Sequence, residues 1–99
     1  MFEILFAESV ANDFRPLRAF DRQKILDRIE QQLKYDPAVE TRAKKTISGL
    51  RPPWQFEEPI WQLRVGQFRV FYDVDQEQKR VTVRAIRRKP PHATTEKVL

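Results

Sequence analysis

The sequence predicts an α+β domain in which two N-terminal helices pack on one face of a small, mostly antiparallel sheet. Three observations carry this. Residues 60–89 alternate apolar and polar side chains with period two, the pattern of a half-buried antiparallel sheet. Residues 10–34 carry their apolar side chains at helical spacing instead. The chain has 99 residues, enough for one core, so both patterns belong to a single domain spanning 1–99.

Each element has its own warrant. Phe2 to Ala7 is apolar apart from Glu3 and predicts a first strand. Ser9 is placed to N-cap a first helix, with Asn12 and Asp13 in its first turn and Val10, Phe14 and Leu17 turned to the sheet. Pro16 removes a backbone donor there, so this helix is short or kinked. A second helix is expected from Asp21, its cap, to Lys34. Ile25, Leu26, Ile29 and Leu33 form its apolar stripe, and Arg22, Lys24, Arg28, Glu30 and Gln32 cover the other face. Asp36-Pro37 ends it, because the residue before a proline is biased away from helical angles.

Residues 38–59 have no clear period and include Pro52, Pro53 and Pro59, so they read as a long loop, the kind that is often functional. Arg42, Lys44, Lys45 and Arg51 make it basic, and Leu50 and Trp54 are placed to pin it to the core. Three strands follow. In the first, Trp61, Leu63 and Val65 alternate with Gln62 and Arg64. Gly66-Gln67 then suits a tight hairpin with glycine at the first turn position. In the second, Phe68, Val70, Tyr72 and Val74 alternate with Arg69, Phe71 and Asp73. Asp75 to Lys79 is a polar turn, and in the third Val81, Val83 and Ala85 alternate with Thr82, Arg84 and Ile86. The order is β-α-α-β-β-β, with a tail over residues 90–99 that has weak helical promise after Thr94.

Charge is unevenly spread. The formal net charge is +5, yet residues 1–40 hold eight acids against six bases while residues 41–99 hold thirteen bases against six acids. A basic half on so small a domain is an electrostatic footprint for nucleic acid or another acidic partner. Arginine outnumbers lysine in residues 60–89 and recurs on the polar side of the strands. Its planar fork matches phosphate oxygens better than an ammonium does.

Other chemistries find little footing. With no cysteine, disulfides and thiolate metal sites are excluded. One histidine without clustered carboxylates gives no expectation of a metal or other cofactor. There is no glycine-rich phosphate loop. The N-terminus has acids at Glu3 and Glu8 and no long apolar stretch, unlike a signal peptide. No run approaches the ~20 apolar residues that span a bilayer, so no membrane partner and a cytoplasmic location are expected.

The element order, the segment LRVGQFRVFYDVD and a last strand running into Ile86-Arg87-Arg88-Lys89 resemble the RelE/ParE superfamily of type II toxin–antitoxin toxins, the RelE-like branch above all. The resemblance covers nearly the whole chain, and the hairpin with its arginine two residues after Gln67 is its specific part. It implies a ribosome-dependent, metal-independent mRNA endoribonuclease that inhibits translation. Its partners would be the ribosome and mRNA, a cognate antitoxin, and operator DNA indirectly through the antitoxin complex. Two alternatives stay open: a ParE-like inhibitor of DNA gyrase, and a non-catalytic nucleic-acid-binding module of the same fold.

Cleavage by a ribose 2′-hydroxyl needs a proton acceptor, a stabiliser for the charge on the phosphorane, and a donor for the leaving 5′-oxygen. Arg69 holds the hairpin position at which the resemblance places the phosphate-binding arginine, and strand parity puts it on the polar face. Arg88 and His92 complete the expected catalytic set, His92 as the side chain whose ordinary pKa lies nearest neutrality. Arg64, Arg84, Arg87 and Lys89 are the expected substrate-binding residues. The chain departs from the family pattern in two places. Ile60 and Gln62 stand where family members carry lysines, and residues 90–99 contain no tyrosine.

Overall fold

In a computed structural model, which describes residues 1–91, Thr94 and Leu99, the alternating segments form three adjacent antiparallel strands, β3 (Ile60–Val65), β4 (Phe68–Asp75) and β5 (Arg80–Arg88). The first segment is β1 (Glu3–Phe6), which joins parallel to β5 at the sheet's edge. A strand within the expected loop, β2 (Lys44–Ile47), pairs antiparallel with β3 and forms the opposite edge. The sheet order is therefore β1-β5-β4-β3-β2. The chain order gains one strand over the expected β-α-α-β-β-β. Four residues are too few to show a period, and Lys44-Lys45-Thr46-Ile47 has no apolar alternation, so only the pairing with β3 makes this stretch a strand.

Both helices lie on one face, as expected. Helix α1 (Val10–Phe14) is a single turn and a half that stops short of Pro16. Ser9 stands at its N-cap position, but the side chain makes no capping bond, because its own backbone is already helical. Helix α2 (Ala19–Leu33) starts two residues earlier than expected, after Arg18. Asp21 is thus a first-turn acid facing Arg18 at 3.5 Å rather than the cap. Ile25, Ile29 and Leu33 are buried from α2, whereas Leu26 of the expected stripe is exposed at its margin. They meet Leu63, Val65, Val70, Tyr72, Val81 and Val83 of the sheet in the main core.

The far end of α2 is closed by β2. Lys44 is buried, and its Nζ donates to the carbonyls of Gln32, at 3.0 Å, and Asp36, at 2.6 Å. A helix leaves its last carbonyls unpaired, and a cation there also meets the negative end of the helix dipole. Tyr72 fastens the same region, donating its hydroxyl to the Pro37 carbonyl at 2.7 Å.

The second face of the sheet is only half covered. Ile60, Phe71 and Ala85 form a small second core with Ile47, Trp54, Phe56 and Leu99. Trp54 pins the loop as expected, its ring 5.3 Å from that of Phe71, but with Phe56 rather than Leu50 beside it. The strand parity expected for Ala85 and Ile86 is reversed here. Phe71 is opposite Ala85 while Tyr72 is opposite Val83, so Arg84 is an extra residue in β5. Such a bulge flips every later side chain to the other face. Ala85 joins the second face and Ile86 the helix core.

Candidate nucleic-acid interface

The hairpin joining β3 to β4 turns on Gly66, whose φ of +58° is a left-handed conformation that glycine adopts without cost. Directly behind the turn, Arg64 is opposite Arg69, and Arg69 is opposite Arg87, a row of three arginines across the strands. One strand further out, Lys45 of β2 is opposite Gln62 on the same face. The Lys89 N–H donates to the Gln67 carbonyl at 2.6 Å, prolonging the ladder by one residue and bringing Lys89 to the turn.

Arg69 is the most deeply set of these. Sequence parity expected it on an exposed face, yet it is only 8% exposed. One amino nitrogen, Nη1, donates to the carbonyls of Gly66 and Phe68, both at 2.9 Å, so the guanidinium clamps the hairpin turn. Its Nε is buried with no partner among the described residues. Burial, and then the charge of Arg64, lower the Arg69 pKa from its ordinary value. Arginine starts so high that it stays charged near neutrality.

The remaining arginines of the basic half divide by what they touch. Arg84 grips Asp73 through Nε at 2.7 Å and Nη2 at 3.3 Å, an ion pair mostly shielded from solvent. Arg87 reaches the edge of the sheet, where it meets Asp13 of α1 at 2.9 Å and lies over the Trp54 ring. Arg88 emerges beyond the bulge on the helix face, stacked on Phe68 and bonded to Gln67 at 3.2 Å. It is therefore parted from Arg69 by the sheet itself. Arg80 pairs with Glu3. His92 lies outside the described residues.

Lys45, Arg64, Arg69 and Lys89 form a cluster of four cations, none of which forms an ion pair with an acid among the described residues. Their proximity is electrically evident at Lys89. Its pKa is lowered by partial burial first, then by the charges of Arg69, Lys45 and Arg64. Four like charges gathered at one turn repel one another, whereas Arg80, Arg84 and Arg87 are neutralised by Glu3, Asp73 and Asp13. A polyanion is the natural counter-charge. Of the expected residues, Arg69, Arg64 and Lys89 come together; Arg84 and Arg87 are held in internal ion pairs. Lys45, on the unexpected strand β2, joins Arg69, Arg64 and Lys89. It supplies a lysine beside Gln62, where the resemblance left one wanting.

Among the described residues no group of three or more histidines, cysteines or carboxylates is arranged to hold a metal ion. No helix is long and apolar enough to cross a membrane. No family model matches the chain, and no curated protein matches it. Solved structures do. RelE in the archaeal RelE–RelB complex from Pyrococcus horikoshii OT3 superposes with a TM-score of 0.69 at 17% identity, over 94% of this chain and 98% of that one. The toxin–antitoxin complex RelBE2 from Mycobacterium tuberculosis gives 0.69 and 17% over 89% and 98%.

The chain has the RelE fold. The cation cluster thus sits on a RelE-type sheet, at the hairpin between its third and fourth strands, on the face that the helices leave open. At this level of identity it is the arrangement of the sheet and helices, and not the sequence, that the likeness establishes.

Proposed function

We propose that this protein is the toxin of a toxin–antitoxin pair and acts as a ribosome-dependent, metal-independent mRNA endoribonuclease that inhibits translation. The observation that carries the reading is the unneutralised cluster of Lys45, Arg64, Arg69 and Lys89 at the hairpin. Phosphodiester cleavage by a neighbouring 2′-hydroxyl makes its largest electrostatic demand at the phosphorane, where negative charge accumulates. Arg69 is fixed in place by two main-chain acceptors, so it meets that charge without reorganising. Arg64, Lys45 and Lys89 hold the adjoining backbone. Paired as they are, Arg84 and Arg87 support the sheet and the α1 contact rather than the substrate.

The neighbours in fold were solved as complexes with RelB or as a toxin–antitoxin pair, which supports a cognate antitoxin here too. A partner segment laid over the cluster would be acidic and would associate quickly at low salt. The complex would reach operator DNA through the antitoxin.

Inducible expression of the chain with sequencing of RNA 5′ ends tests the reading. The expected result is growth arrest with new 5′ ends inside translated messages, both abolished by Arg69→Ala and by co-expression of the antitoxin. Arrest with DNA breaks and intact messages would assign the fold to gyrase inhibition, and no arrest at all would leave a binding module.

A further inference from the structure

We propose that Lys89 is the group that delivers a proton to the leaving 5′-oxygen. This rests on the ribonuclease reading and gives a residue to a step for which that reading has none among the described residues. Of the four clustered cations only the two lysines can release a proton, since a guanidinium holds its own at any working pH. Lys89 is the one set against Arg69. Its backbone bond to Gln67 extends the β4–β5 ladder past the pairs Arg69–Arg87 and Phe68–Arg88. Alternation then returns its side chain to the face of Arg69 after Arg88 has pointed to the helices.

The groups facing Lys89 are all cationic: Lys45 from β2, Arg64 from β3 and Arg69 from β4. On its own strand Arg87 is bound to Asp13 and Arg88 faces away. No carboxylate among the described residues steadies the ammonium. Burial and these neighbours lower its pKa below the ordinary lysine value of 10.5, which makes it a stronger acid than a solvated lysine. The 2′-oxygen bonds to phosphorus and its proton passes to water. The bond from phosphorus to the 5′-oxygen breaks, its electron pair stays on oxygen, and Lys89 Nζ gives that oxygen a proton. The products are a 2′,3′-cyclic phosphate and a 5′-hydroxyl, and the neutral amine regains a proton from solvent.

The test uses the full chain on ribosomes carrying an mRNA with either the ordinary linkage or a 5′-bridging sulfur at the scissile position. Sulfur departs without needing a proton. Lys89→Gln, at saturating protein, is expected to cut the oxygen substrate about 10²-fold more slowly, the usual scale for acid catalysis, while the sulfur substrate loses only the small factor, seen mainly in KM, that its missing phosphate contact brings. Lys89→Arg keeps the charge but not the transferable proton, so it is expected to share the defect and to lack the alkaline fall in rate expected of the wild type. Equal slowing on both substrates, or no slowing on either, overturns the proposal while the ribonuclease reading stands. A wild type that leaves the oxygen substrate uncut overturns that reading, and the assignment of Lys89 with it.

Discussion

Arg69 carries two duties that substitution separates. Its Nη1 ties the Gly66 and Phe68 carbonyls together, and hydrogen bonds to a charged group are worth about 1.5–3 kcal/mol. Arg69→Ala is therefore expected to lower the unfolding free energy by about that much in urea titrations, where a solvated surface arginine would cost less than about 0.5 kcal/mol. The same change should slow cleavage by ~10²–10³ through loss of phosphorane stabilisation. Tyr72 provides a second residue-scale test. It is fully buried and bonded to Pro37, and burial raises its pKa above the ordinary tyrosine value of 10.0. The unfolded chain therefore ionises first. The contribution is whole below pH 10 and is lost as the pH climbs beyond it. Tyr72→Phe should cost about 1 kcal/mol at neutral pH and flatten the alkaline decline in melting temperature. An unaltered decline would mean that other groups cause it.

At the scale of elements, the hairpin depends on one glycine. A Cβ at Gly66 would meet only the flexible Lys24 Nζ at 3.3 Å, so crowding is minor and the positive φ decides. Gly66→Ala should destabilise by about 1 kcal/mol, with Gly66→Asn milder because asparagine tolerates the left-handed region; differential scanning calorimetry reads both. The sheet's three long strands and this turn were legible because alternation and glycine act locally. The bulge was not. Nothing in Arg84-Ala85-Ile86 announces an extra residue, and its effect shows only when β5 is laid against β4, where Ile86 fills the core and Arg88 leaves the face of Arg69. Strand β2 was hidden for the same reason. Lys44 reads as a surface lysine, and its burial is explained only by the carbonyls of Gln32 and Asp36, at and just past the end of α2, that it meets from twelve and eight residues away. Lys45 was lost to the site with it. Arg69, Arg64 and Lys89 could be found from parity and resemblance; their lack of acidic partners could not, since Asp73 and Asp13 choose Arg84 and Arg87 through the fold.

Across the whole molecule, the net charge of +5 matters less than where neutralisation fails. If Lys45, Arg64, Arg69 and Lys89 each contact one phosphate, affinity for single-stranded RNA should fall with salt at a log–log slope of about −3. Lys45→Gln should reduce that slope by about 0.7, whereas Arg80→Gln, which removes an arginine already paired with Glu3, should leave it unchanged. Fluorescence anisotropy over a range of salt concentrations measures both. The RelE fold and the cluster together support the proposal that this surface cuts mRNA on the ribosome. Purified ribosomes stalled on a defined message, mixed with the purified chain in the presence of a chelator, test it most directly. The expected result is a cut within the message that leaves a 2′,3′-cyclic phosphate, absent with Arg69→Ala and blocked by antitoxin. An intact message on ribosomes bound by correctly folded protein would contradict it.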